Sequence, residues 1–361
     1  MQRYPPTTNR SLRPRSAADD LLTEWSGAHA EPEDRVVVLH DRFGAVALGV
    51  TGTVTVTFIA TFHSQVQALR LNAGDRPIAV GELTRPVPDF NVALLRVPKS
   101  LDLFEYYLQV LVSAALPGSR IVCGFMTRHY TPRILELANR YAGRCRQSRA
   151  RRKARLLVLE DVRREDGKAD GRPGACRAAI PFGDKLYRQY PGVFSAGRID
   201  PATQFLLRRW EVVAPYLTGA PGQILDIGCG NGIIGDQLLR RYPDAELIAF
   251  DDHILAVTSA RLNLPGGRSQ VHWGHRIADT GIEAADLVVS NPPFHLGYET
   301  NIEVSLSLFN EAHGVLRPGG VLVVVANLHL NYLTHLRRLF VTEEVSRDGK
   351  YAIYVARKAV G

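Results

Sequence analysis

Cysteine is scarce in this 361-residue chain. The four present, Cys123, Cys145, Cys176 and Cys229, include no pair at CxxC spacing. That argues against a zinc site or a disulfide framework and fits a reducing, cytoplasmic setting. No apolar run is long enough to span a bilayer, and residues 1–18 lack the apolar core of a secretion signal, so no membrane partner is expected. No metal ligand set stands out. The first half also lacks a glycine-rich nucleotide loop: Cys123-Gly124-Phe125-Met126 follows a strand-like run but has too little glycine to admit a ligand closely. Charge of one sign is only moderately in excess. The net charge is +8, from 44 Lys and Arg against 36 Asp and Glu, which permits an anionic partner without requiring one.

What is present points to two α/β domains. The length allows two full cores. Residues 1–33 read as a disordered or loosely helical tail. In residues 34–177, β-rich runs at 35–39, 46–50, 54–60, 92–97 and 121–124 accompany a helical pattern from Leu101 to Ala115, stopped by Pro117-Gly118. That alternation indicates a mostly parallel sheet. Residues 140–157 hold eight basic residues and no acidic one, among them Arg149, Arg151, Arg152 and Lys153. Such a block is a solvated face or a phosphate contact. Residues 161–177 read as a loop or hairpin near the domain junction.

Residues 178–361 alternate more clearly. Asp200-Pro201 fits an N-cap and first helical position, opening a helix to about residue 217. A strand at 223–227 leads into Gly228-Cys229-Gly230-Asn231-Gly232 and a helix at 233–241. A strand at 247–250 ends in Asp251-Asp252, and a helix at 254–262 leads to a short strand at 270–273. The apolar run 287–289 then reaches Asn291-Pro292-Pro293-Phe294-His295. A Pro-Pro pair cannot continue a central strand, so the chain leaves the sheet there with an amide and an aromatic ring on stiff backbone. In open α/β sheets ligands bind beyond such strand ends. A helix at 302–315, a wholly apolar strand at 321–325, a helix at 330–340 and a hairpin around Asp348-Gly349 complete the pattern. Gly230-x-Gly232-x-x-Gly235 also fits a dinucleotide fingerprint, with Asp251 near the ribose position, so an NAD-binding reading stays open from this loop alone. Asp226 counts against it, because a carboxylate there repels a pyrophosphate.

Residues 226–232, Asp251 and Asn291-Pro292-Pro293-Phe294-His295 together resemble the class I S-adenosylmethionine-dependent methyltransferases. Within them the chain is similar to the bacterial ribosomal RNA guanine-N2 methyltransferases. Gly192-Val193-Phe194-Ser195 with Ile199-Asp200 matches the segment before that family's cofactor loop. Residues 326–332, and residues 97–100 with Glu105-Tyr106, look most like the branch acting on 23S ribosomal RNA. The resemblance implies two tandem Rossmann-like methyltransferase domains, the first without a cofactor site, the second ending in an antiparallel β-hairpin. The missing glycine loop and the adjoining basic run give the first domain an expected role in recognising or orienting RNA. It implies S-adenosyl-L-methionine held by Asp226, Gly228, Gly230, Asn231, Gly232, Asp251 and Asn291. Asn291, Pro292 and Phe294 would act on the substrate, with Phe194, Ser195, Pro293 and His295 lining its place. The implied partner is ribosomal RNA, 23S in this branch. Methylation of a 16S guanine, of adenine N6 or of a protein amide would use a related turn. The family's usual acid or amide for the adenine is not evident after residue 273, where Asp279 is the nearest candidate. Ala196 stands where the family has Arg or Lys. Oligomeric state is left open.

Overall fold

Each half of the chain is carried by a seven-stranded sheet. The structure is a computed structural model describing residues 1–7, 9, 12–52, 54–163, 178–195, 197–292, 295–296, 299–300 and 302–360. Its two units are Met1–Ala175 and Cys176–Gly361.

In the first unit the strands are β1 (Arg35–Leu39), β2 (Thr55–Ala60), β3 (Ala79–Glu82), β4 (Phe90–Arg96), β5 (Ala115–Met126), β6 (Ala142–Gln147) and β7 (Ala154–Val162). The helices are α1 (Ala17–His29), α2 (Ala45–Val50), α3 (His63–Ala73), α4 (Leu101–Ala114) and α5 (Pro132–Tyr141). The sheet order is β3-β2-β1-β4-β5-β7-β6. β1 to β5 pair in parallel, and β7 runs antiparallel to both β5 and β6.

Two expectations for this unit change. Residues 46–50 are helical, not a strand. A five-residue apolar run does not distinguish a buried strand from a buried helix turn. Here Asp41 decides, because its carboxylate accepts the backbone N–H groups of Ala45, Val46 and Ala47 at 2.8–3.0 Å and so caps α2. The stretch read as a disordered or loosely helical tail contains α1, a packed helix. Its N-cap Ser16 and third helical residue Asp19 form a capping box. Ala18 and Leu22 are fully buried, and the Asp19 carboxylate pairs with Arg96 at 2.7 Å. The glycine at 124 serves this contact: a Cβ there would stand 2.8 Å from Leu22 and 3.1 Å from the Ala18 carbonyl. The basic run lies mainly on the β6–β7 hairpin. Arg151 pairs with Glu24 and Arg152 with Asp20 on α1, while Arg146 reaches Glu160 at 3.3 Å.

The second unit begins with a hairpin, β8 (Ala178–Phe182) and β9 (Lys185–Gln189). Two short helices follow, α6 (Pro201–Arg208) and α7 (Trp210–Val213). Then come β10 (Gln223–Ile227), α8 (Ile233–Arg241), β11 (Glu246–Asp251), α9 (Ile254–Asn263), β12 (Ser269–Trp273) and β13 (Ala285–Ser290). The two-residue strands β14 (His295–Leu296) and β15 (Glu299–Thr300) pair antiparallel. α10 (Glu303–Val315), β16 (Leu316–Asn327), α11 (Tyr332–Leu336), β17 (Val341–Arg347) and β18 (Tyr351–Arg357) complete the chain. The helix expected over 330–340 is only the short α11, whose N-cap Asn331 is left-handed at φ 49°.

The order β12-β11-β10-β13-β16-β18-β17 repeats that of the first unit. β16 shows why the sheet is covered on both faces. Val321, Val323 and Val325 enter one core with Leu206, Leu238 and Ala260, while Leu322 and Val324 enter the other with Phe309 and Tyr332. A period-2 strand that is apolar throughout must bury both faces, worth about 1.5–3 kcal/mol per large side chain. The chain goes outward through β11 and β12, then crosses back to β13 beside β10. That reversal opens a crevice at the carboxyl ends of β10 and β13.

Candidate active site

The loop after β10 is shaped by its glycines. Gly228, Gly230 and Gly232 all have positive φ, at 68°, 56° and 80°. The Gly228 and Cys229 amides both donate to the Phe250 carbonyl at 3.0 Å, pinning the loop to β11. At Gly230 an added Cβ would meet nothing within 4 Å, so its backbone faces open space. Gly235 has a different use: its Cβ would come within 2.5 Å of Leu247 Cδ2. It lets α8 lie close on the sheet. Gly235→Ala is expected to lower the melting temperature, reflecting about 1–3 kcal/mol of overpacking.

Two carboxylates flank this loop. Asp226, the fourth residue of β10, is buried; its Oδ2 accepts the Gly235 amide at 3.2 Å, and its Oδ1 is buried without a partner among the described residues. Burial pushes its carboxyl up to about 7, and the charge of Asp251 acts in the same direction. Asp251 ends β11. Its Oδ2 accepts from the Gly230 amide at 3.0 Å and its Oδ1 from the His253 amide at 2.9 Å. Burial also raises its pKa. Asn231 is tied into the scaffold. Its Nδ2 donates to Gln189 at 2.9 Å, its Oδ1 accepts the Ile233 amide at 3.3 Å, and its carbonyl accepts from Asn263 at 2.8 Å. Asn231 therefore shapes the loop with both ends of its amide engaged. Cys229 is buried, and burial raises its thiol further, which leaves it unsuited to nucleophilic work.

Asn291 follows β13 and faces α6. Its Nδ2 donates to Asp200 Oδ2 at 2.9 Å and to Thr203 Oγ1 at 3.0 Å. Asp200 is the N-cap of α6, and the same Oδ2 accepts the amides of Ala202 and Thr203. Pro292 is buried next to it. Pro293 and Phe294 lie outside the described residues. His295 begins β14, paired with Thr300. Phe194 is 57% exposed, and Ser195 holds a left-handed φ of 61°. The carbonyls of Val193 and Phe194 each accept from Gln189 Nε2 at 3.3 Å, so one side chain joins this segment to Asn231. Asp279 is engaged locally: its carboxylate accepts the amides of His275 and Arg276 at 2.9 and 3.0 Å.

The structure thus gathers Asp226, Gly228, Gly230, Gly232 and Asp251 around one loop, on the strand adjacent to the one that ends at Asn291. Sequence reasoning missed two partners, Thr203 and Gln189, and assigned Asp200 only a capping role. Nothing local flags Thr203 or Gln189, since their partners lie 88 and 42 positions away. The first unit differs at the matching strand end. After β1, Asp41 is consumed by three backbone amides, and the buried Phe43 lies under the guanidinium groups of Arg3 and Arg42, each 5.0 Å from its ring centre.

The family model of the methyltransferase small domain matches residues 186–355, and that of the RLMG N-terminal domain matches residues 1–163. Ribosomal RNA large subunit methyltransferase G of Streptomyces coelicolor is 35% identical, over 99% of this chain and 97% of that protein. The chain belongs to the ribosomal RNA large subunit methyltransferase G family. The family member from Magnetococcus marinus is 30% identical, over 94% of this chain and 91% of its own length. Among solved structures, a T. thermophilus 16S rRNA N2 methyltransferase in complex with AdoMet and guanosine matches with a TM-score of 0.78. It is 25% identical, with 95% of this chain and 92% of that one covered. Both sheets and the closing antiparallel hairpin agree with the expected tandem methyltransferase fold. Among the described residues, no helix is long and apolar enough to cross a membrane.

Proposed function

We propose that the chain transfers a methyl group from S-adenosyl-L-methionine to the exocyclic N2 of a guanine in ribosomal RNA, with 23S RNA as the substrate. The observation that carries this reading is Asn291. Both N–H bonds of its amide are engaged by Asp200 and Thr203, which leaves its oxygen as an acceptor at the end of β13. Guanine N2 is a poor nucleophile because its lone pair is delocalised into the ring. Two acceptors, the Asn291 oxygen and the Pro292 carbonyl, can take its two N–H bonds and localise that pair. When bound, S-adenosylmethionine supplies a methyl group already activated on a sulfonium, so positioning accounts for much of the rate.

The residues present fit that cofactor. An orphaned, buried carboxylate oxygen on Asp226 suits a cationic amino group and does not suit a pyrophosphate. The open backbone at Gly230 admits close approach, and Asp251 keeps lone pairs for hydroxyl donors. Asn231 contributes through the loop it holds. Phe194, exposed and adjacent to the strained Ser195, offers a face for a base turned out of the RNA. Pro293, Phe294 and His295 keep their assignment to the substrate side in this reading. Action on ribosomal RNA is consistent with a cytoplasmic enzyme.

The first unit then takes no cofactor and orients RNA. Titration with S-adenosylmethionine should give one site per chain; two sites would reject that division. Arg149 and Lys153 have no acidic partner among the described residues, unlike Arg151 and Arg152. The double variant Arg149→Ala/Lys153→Ala is expected to weaken RNA binding and flatten its log–log salt dependence by up to about 0.9 per lost phosphate contact. An unchanged slope would show that the hairpin does not touch RNA. The main test is transfer of a tritiated methyl to deproteinised 23S RNA, 16S RNA and intact subunits, followed by nucleoside analysis. N2-methylguanosine in 23S RNA is the expected product. Label confined to 16S RNA or to adenosine would displace the reading.

A further inference from the structure

An asparagine amide is nearly symmetric in shape, and its two ends have opposite hydrogen-bonding character. Left free, it can turn and offer its NH2 group to the substrate as readily as its oxygen. At Asn291 the neighbours decide. A carboxylate only accepts, so the end facing Asp200 Oδ2 at 2.9 Å must be the NH2 group. The second N–H goes to Thr203 Oγ1 at 3.0 Å. Thr203 is buried and stands in the first turn of the helix that Asp200 caps. The carboxylate is itself held still, because the same oxygen accepts the amides of Ala202 and Thr203 at 2.9 and 3.1 Å. A negative charge is favoured at a helix N-terminus. The whole arrangement is therefore a fixed clamp on one end of one amide.

We propose that Asp200 is a positioning residue that selects an amino group for methylation by locking Asn291 with its oxygen toward the substrate. This inference rests on the proposed role of Asn291. It adds that the choice between an amine and a carbonyl on the base edge is made outside the Asn-Pro-Pro turn, by a helix cap 91 positions earlier. With both donors spent, the Asn291 amide can accept and cannot donate. A base edge presenting N–H bonds is held. An edge presenting a carbonyl oxygen meets a like acceptor and is refused, the penalty of an unpaired polar group doing the discrimination. Asp200 itself touches no substrate in this account.

Two variants separate positioning from helix capping. Serine is as good an N-cap as aspartate but has no carboxylate to hold Asn291. Asp200→Ser is expected to keep the melting temperature within a few degrees and S-adenosylmethionine affinity within about threefold. Its kcat should fall at least tenfold, with KM for RNA changed less than kcat. The conservative exchange is the sharper measurement. Asparagine also caps helices, and its one oxygen can take the Ala202 and Thr203 amides together with the Asn291 NH2 group, as Asp200 Oδ2 does. Asp200→Asn should therefore keep kcat within about threefold of wild type. Wild-type kcat in Asp200→Ser, or a loss in Asp200→Asn as large as in Asp200→Ser, would overturn the proposal, provided Asn291→Ala is inactive. If Asn291→Ala retains full activity, the parent reading has failed instead. Should Asp200→Ser not fold, Asp200→Gly, a fair N-cap with no side-chain acceptor, takes its place.

Discussion

Asn291→Ala should reduce kcat by at least a hundredfold while leaving RNA affinity within about threefold. The expectation follows from where this side chain acts. Its amide is not a strut of the core: it is half-buried, and its two bonds go to a helix cap that keeps its own backbone partners without it. Losing it costs little fold stability. What is lost is the acceptor that holds the amine and localises its lone pair, and loss of one such preorganised group costs about 10²–10³ in rate. Single-turnover transfer with saturating cofactor and RNA measures it directly. A loss confined to KM would mean that Asn291 binds ground state and transition state alike.

The second large effect concerns Asp226 and pH. Its carboxyl is raised to about 7 by burial, aided by the charge of Asp251 and opposed by the Gly235 amide. The sign is as follows. An unfolded aspartate titrates near 3.9, so the folded form binds its proton more tightly. The stability this gives is complete below about pH 4 and is lost as pH rises through about 7. A cationic ligand beside the orphaned Oδ1 reverses the preference, because it needs the anion. Affinity for S-adenosylmethionine should therefore rise up to tenfold per pH unit approaching pH 7 from below, with a proton released on binding. Asp226→Asn should bind at least tenfold more weakly at pH 8, and the difference between the two proteins should shrink below pH 6. Calorimetry in buffers of different ionisation enthalpy reads both the affinity and the proton. A constant ratio between wild type and Asp226→Asn from pH 6 to 8 would exclude Asp226 as the cation's partner.

Much of the second unit was legible because its signals agree with one another. The strand at 223–227, the helix at 233–241 and the closing hairpin stand where periodicity, glycines and Asp348-Gly349 placed them. The all-apolar run at 321–325 could only be a strand covered on both faces. The first unit was harder because its signals conflict. Residues 46–50 are apolar with a valine at each end, yet Asp41 caps them into a helix through bonds spanning four to six positions. The basic run looked like free charge because Glu24 and Asp20, more than a hundred positions earlier, are invisible to local reading. At the candidate site the glycine loop and the chain's exit from β13 at Asn291 could be read from residue type alone. The clamp on Asn291 and the Gln189 tie between Asn231 and Phe194 could not, since each is a contact that only the fold creates.

The carboxylate at position 41 has a history written into its contacts. Both halves carry an acid near the end of their leading strand, but Asp226 keeps an oxygen in reserve while Asp41 has committed both to the helix that follows. A cofactor site in the first half patterned on the second would thus demand more than added glycines. Freeing Asp41 would unmoor α2, and carving out Phe43 would strip the ring from beneath two arginines. Each such change would harm the fold before it helped binding.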